Sequence, residues 1–232
     1  MSSERERALV PVLLALTAVT GLVDAASVLG LGRVFTANMT GNVAFLGFAA
    51  AGAPGLSLVR SGAALLAFVV GAAIGGRLAL PIASGSTDRP ISTALGLEAA
   101  LLLAAAGAAV GAGSDLSPVP ARLYPAIVLT GLAMGIRNAV VRKLAVPDLT
   151  TTVLTLTLTG LAADSPPAGG DGRRWLRRVA SIATMFAGAA AGTWLVGRSV
   201  AHALAVAGAM SALSALTAHG RLRHAEGAAV PN

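Results

Sequence analysis

The chain has 232 residues, of which 55% are hydrophobic and 12% charged, with a net charge of +7 and no cysteine. Soluble domains carry roughly 25% charged residues, so this composition points to a single polytopic membrane domain rather than a soluble one. The missing cysteines exclude disulfides, cysteine-zinc sites and thiol chemistry.

The basic excess is almost all arginine, Lys143 being the only lysine. In a soluble chain it would suggest nucleic acid. Here the arginines stand between or at the ends of apolar runs, as topology signals and headgroup contacts do, so the expected partner is a lipid bilayer and not nucleic acid.

After a short charged start at residues 1–7, the first apolar run extends from Ala8 to about Leu31. It is not read as a signal peptide, because equally apolar runs follow and Asp24 interrupts it. A carboxylate inside a span is costly and ordinarily faces a cavity or a partner. The alternative ends the helix near Gly21 and leaves Asp24 at the interface. Next comes the segment Thr36-Ala-Asn38-Met-Thr40-Gly-Asn42, dense in hydrogen-bonding side chains and poor in charge. At membrane depth such a segment must find partners in protein or in a water-lined cavity. It reads as a site for an ion or small polar solute, or else as a helix cap with small-residue packing. The piece 36–54 is barely long enough to cross, and is either a short span or a re-entrant half-helix.

Ser57 to about Leu80 is a clear span with a small-residue face at Gly71–Gly76. A polar loop at 84–90 precedes the span Ile91–Gly113, which contains a second acid, Glu98. The run from Leu123 to about Val146 holds Arg137, Asn138, Arg142 and Lys143 in its second half. The following stretch from Thr150 to Gly160 alternates Thr and Leu, a period that suits a strand. A lone strand cannot exist in a bilayer, so a Thr-rich helix is expected, with Thr152, Thr155 and Thr159 on one face. A loop at 163–178, spans at 179–196 and 199–217, and a disordered polar tail at 219–232 complete the chain.

The halves, about 8–113 and 122–217, resemble each other. Gly21-Leu-Val-Asp24-Ala is echoed by Gly135-Ile-Arg-Asn138-Ala, Thr36 by Thr150, and Gly71-Ala-Ala-Ile-Gly75 by Gly188-Ala-Ala-Ala-Gly192. The expected fold is therefore an all-α polytopic bundle within residues 1–218. It has six full spans plus two short polar-start segments (eight helices if both cross) and an internal two-fold repeat. If the halves pack about a pseudo-two-fold axis, Asp24 and Arg137 could neutralise each other; otherwise Arg137 snorkels beside Arg142 and Lys143. Six spans concentrate Arg and Lys more strongly on the side of the termini than eight do, and either count puts both termini in the cytoplasm.

The motifs Gly21-Leu-Val-Asp-Ala, Val34-Phe-Thr-Ala-Asn-Met-Thr-Gly-Asn, Gly135-Ile-Arg-Asn-Ala and Val146-Pro-Asp-Leu-Thr-Thr-Thr together resemble the YoaK-like family of bacterial membrane proteins, a domain of unknown function. The resemblance covers about residues 8 to 218. The family's second motif usually has Gln where Arg137 stands. The resemblance implies a multi-pass protein of the bacterial inner membrane and no particular reaction.

Function is read from the residues. A transporter or channel for a small polar solute, with a proton carried by Asp24 or Glu98, fits the repeat and the interrupted segments. Its site would comprise Asp24, Thr36, Asn38, Thr40, Asn42, Arg137, Asn138, Thr150, Thr152 and Thr155. A non-catalytic membrane partner or lipid-binding role fits the glycine faces at 71–75 and 188–192, which either pack the two halves together or form a homodimer. An enzyme is the weakest reading, since metal and Ser-His signatures are missing from the buried polar residues; no cofactor or metal is expected.

Overall fold

The computed structural model describes residues 3–83 and 88–227. Among them every regular element is a helix, and there are no strands. The long helices are α1 (Ser3–Ala25), α3 (Leu58–Leu78), α5 (Asp88–Ala109), α6 (Pro120–Leu144), α8 (Trp175–Val196) and α9 (Val200–Gly227); the short ones are α2 (Met39–Ala50), α4 (Leu80–Ala83) and α7 (Thr155–Ala163). Six of them, α1 with its extension to Gly30 included, are long and apolar enough to cross a bilayer. At 1.5 Å per residue, α2 and α7 reach only about 18 and 14 Å against a hydrocarbon core of about 30 Å. Neither crosses.

Local chemistry sets the starts. Ser57 accepts a hydrogen bond from the Arg60 amide at 3.3 Å and caps α3. Asn38 caps α2 through the Gly41 amide. Pro120 occupies the first position of α6, where a missing N–H costs nothing. Beyond Asp24, α1 widens into a π-helical turn, Ala26–Gly30.

Helix directions follow from named contacts. Glu6 at the start of α1 pairs with Arg177 at the start of α8, so this face, called here the terminal face, also holds the loop between α6 and α8. On the opposite face the Gly30 carbonyl accepts from Leu116, and the Gly113 carbonyl from Val200. Glu98 meets Ser211, and Gly208 packs on Leu103, so α5 and α9 are antiparallel. Had both short helices crossed, α5 and α9 would run in the same direction. Among the described residues these directions fit the six candidate spans, with α2 on the opposite face and α7 on the terminal face.

The core is assembled by close approach of helix backbones. A Cβ on Gly71 or Gly135 would strike the backbone of α6 or α3, at Leu132 and Phe68. One on Gly21 or Gly188 would do the same between α1 and α8, at Ala189 and Ala18. Of the two expectations for the glycine faces at 71–75 and 188–192, packing the halves together or forming a homodimer, the contacts within the chain meet the first: each face packs one half against the other. The outward faces carry Leu66, Phe186, Trp194 and Leu216, all exposed, as lipid contact requires.

Two further expectations change. The stretch from 219, expected to be disordered, is helical to Gly227 at the end of α9; residues 228–232 lie outside the described residues. The polar loop expected at 84–90 ends by Asp88, where α5 begins, and 84–87 lie outside the described residues.

The native chain lacks cysteine, so single cysteines report topology cleanly. Cysteines at Ala53 and Ser199 are expected to react with an impermeant maleimide from one side of the membrane, and a cysteine at Ser165 from the other. Labelling of Ala53 and Ser165 from a common side would be inconsistent with these helix directions.

Candidate functional site

The centre of the bundle is a desolvated charge cluster. Arg137 on α6 and Glu98 on α5 are both fully buried and lie 3.1 Å apart. Glu98 stands about 15 Å from either end of its helix, near the bilayer midplane. Four of the five N–H donors of Arg137 are used. Its Nη1 donates to Glu98 Oε1 at 3.1 Å and to the Leu16 carbonyl at 3.0 Å. Its Nη2 donates to Thr20 Oγ1 at 2.6 Å and to the Met134 sulfur at 3.0 Å. Thr20 in turn donates to Leu16 O, closing a ring onto α1. Ser211 on α9 donates to Glu98 Oε1 at 2.9 Å. One pair thus joins α1, α5, α6 and α9.

Three polar atoms at this depth have no protein partner: Arg137 Nε, Glu98 Oε2 and Asp24 Oδ1. Asp24 is within electrostatic reach of Arg137 but makes no ion pair with it among the described residues. The expected Asp24–Arg137 neutralisation is therefore corrected: Arg137 pairs with Glu98, and Asp24 remains a free acceptor. The snorkelling alternative for Arg137 fails on its complete burial. The interfacial alternative for Asp24 fails because α1 continues past it to Ala25 and the π turn. π turns within helices concentrate at functional sites.

The remaining expected site residues fall into two groups on opposite faces. On the face away from the termini, Asn42 is buried and donates from Nδ2 to the Ser61 carbonyl at 2.8 Å, while its Oδ1 and the buried Thr36 hydroxyl have no protein partner. Asn38 serves as the α2 cap, and Thr40 is exposed. On the terminal face, Asn138 donates to Met134 O and accepts from Thr152 at 2.5 Å. Asn138, Thr150 and Thr152 line one cleft with Arg142 and Leu149. Thr155 opens α7 and is exposed. The expected Thr152–Thr155–Thr159 face does not form, because Thr152 precedes the helix and Thr159 points outward; the buried threonine of α7 is Thr157.

The loops before the two short helices hold unusual backbone. Arg33, Ala145, Asp148 and Thr151 all have φ between 50° and 63°. Non-glycine residues in that region cost about 1–3 kcal/mol and cluster at functional sites. A clamp holds the second of these loops. Arg178 on α8 bonds Asp148 Oδ1 at 3.0 Å, Asp164 Oδ2 at 2.6 Å and the Gly160 carbonyl at 2.5 Å. Sequence reasoning missed this clamp, and also Thr20 and Ser211. For Thr20 the readable signal was its place four residues before Asp24 on one helix face; Ser211 offered none, since its span carries no acid near it.

These features define an integral membrane protein of six spans with a charged centre and two non-crossing half-helices. The chain belongs to the family described as "Protein of unknown function (DUF1275)", which matches residues 12–217. It is 34% identical over 152 residues to the UPF0700 transmembrane protein YoaK of Bacillus subtilis (strain 168), a match covering 66% of this chain and 64% of that protein's length. No solved structure matches.

Arg137→Met is expected to leave Glu98 buried without compensation and to destabilise the protein by about 3–5 kcal/mol. Ser211→Ala removes a single hydrogen bond to a charged group, for about 1.5–3 kcal/mol. Thermal unfolding in detergent checks both, and the order of the two effects is the diagnostic result.

Proposed function

We propose that the protein moves a small polar solute across the bacterial inner membrane, with Asp24 as the group that takes up a proton. The observation that carries this reading is the free Asp24 carboxylate oxygen beside a buried Arg137–Glu98 pair. Intramembrane acids without partners are rarely kept for stability alone.

The helix contacts support an inverted duplication of α1–α5 and α6–α9. Exchanging the halves turns the α3–α6 contact into α8–α1, α5–α6 into α9–α1, and α2–α3 into α7–α8, all of which are present. The α5–α9 contact maps onto itself. The half-helices lie on opposite faces, each behind a loop with strained backbone and an unpartnered buried threonine, Thr36 and Thr151. Inverted repeats with interrupted segments at matching places are the common architecture of secondary transporters. No catalytic role is proposed.

The charge distribution supports cytoplasmic termini. Arg33, Arg60, Arg122 and Arg198 lie toward the opposite face, and the other basic residues, apart from the buried Arg137, toward the terminal face. The excess belongs inside.

Access alternating between the faces is testable without knowing the solute. In Asp24→Asn, impermeant labelling of cysteines at Asn38 and Thr152 is expected to change in opposite directions, by several-fold, as one state is favoured. Equal labelling in both backgrounds, with folding intact, would mean a static scaffold.

A further inference from the structure

The helices α3 and α6 run parallel, as Gly71 packs on Leu132 and Gly75 on Ile136. Between them, on the terminal face, lies an open groove whose lining includes Phe68, Ala72 and Gly76 of α3 and Asn138, Arg142 and Lys143 of α6. Its apolar floor extends about 12 Å along α3, from Phe68 to Gly76. A Cβ on Gly76 would meet nothing within 4 Å, so the floor is unfilled. Arg142 and Lys143 stand at its outer end on the last turn of α6, both exposed and without an ion pair among the described residues. Arg77 follows Gly76 directly on the last turn of α3.

The crossing of α1 with α8 provides an internal comparison. Gly21 and Gly188 make the same close approach there, but on the opposite face. Val28 and Leu29 occupy the places corresponding to Arg142 and Lys143, and Trp194 that of Arg77. The nearest cation, Arg198, is stacked over Trp194 at 3.4 Å. Cations that served only to cap helix C-termini would be expected at both crossings. They stand at the one whose groove opens toward the more basic face.

We propose that the α3–α6 groove binds one anionic phospholipid from the leaflet on the terminal face. Its phosphate lies between Arg142 and Lys143, and an acyl chain lies along Ala72 and Gly76 against Phe68. Charge complementarity selects the headgroup, and the apolar floor selects a lipid over a free anion. This inference does not depend on the transport reading.

Native mass spectrometry of the detergent-solubilised protein tests it, with phosphatidylglycerol and phosphatidylcholine of matched chains as probes. The wild type is expected to retain one phosphatidylglycerol in preference to phosphatidylcholine. Arg142→Gln with Lys143→Gln is expected to weaken that retention about thirtyfold, the effect of two cations at the headgroup plane. Ala72→Phe fills the groove without touching the cations and is also expected to abolish retention, whereas Arg33→Gln on the other face leaves it unchanged. Retention by Ala72→Phe, no preference in the wild type, or displacement by millimolar inorganic phosphate would each overturn the proposal.

Discussion

The constraint on which the bundle depends is the burial of Arg137. A guanidinium with no access to water must have its charge and its N–H groups met by protein. Here the requirement is met by a carboxylate from α5, a hydroxyl and a carbonyl from α1, and a sulfur from α6 itself. No two helices could do this alone. Glu98 carries the obligation onward to Ser211 on α9. The four helices are thereby fixed in rotation about their axes, which apolar packing among alanines and leucines specifies only weakly. Such a pair adds little net stability over a well-packed apolar substitute; its contribution is register and mutual orientation.

The glycine contacts supply the complementary constraint. With lipid outside as apolar as the core, helices gain by approaching closely, and Gly71, Gly135, Gly21 and Gly188 bring backbones together at two crossings. Those crossings tie α3 to α6 and α8 to α1, while the charged centre ties α1, α5, α6 and α9. The short helices α2 and α7 are joined to this frame at its faces, α2 through the Asn42 bond to Ser61 of α3 and α7 through the Arg178 clamp of α8. They are too short to cross, and they follow loops whose backbone is strained at Arg33, Ala145, Asp148 and Thr151.

Much of this was legible in the sequence. The six spans followed from apolar run length, and the short segments from Pro54 and the polar stretches after Leu31 and Val146. Asp24, Glu98 and Arg137 were visible as ionisable residues in apolar runs. The pairing was not. Helical periodicity says which face a residue shares with its neighbours, but not which helix it meets across the core, so Arg137 was matched to Asp24 by the repeat rather than to Glu98. The Thr150–Gly160 stretch misled for a related reason: its hydroxyls satisfy local backbone groups, as Thr150 does at Val153, which delays the helix until Thr155. Arg178, read as part of a loop, was invisible as a clamp because Asp148 and Asp164 come together only when α7 folds back on α8.

The most direct measurement is a double-mutant cycle on Glu98 and Arg137, using Glu98→Gln, Arg137→Gln and the double variant, with unfolding free energy in detergent or bilayer as the readout. A buried, mutually dependent pair predicts strong non-additivity, with the double variant more stable than the sum of the single losses implies by about 2 kcal/mol or more. Additive losses would mean that the two groups do not meet in the folded protein, and would contradict the charged centre on which the architecture is argued to rest.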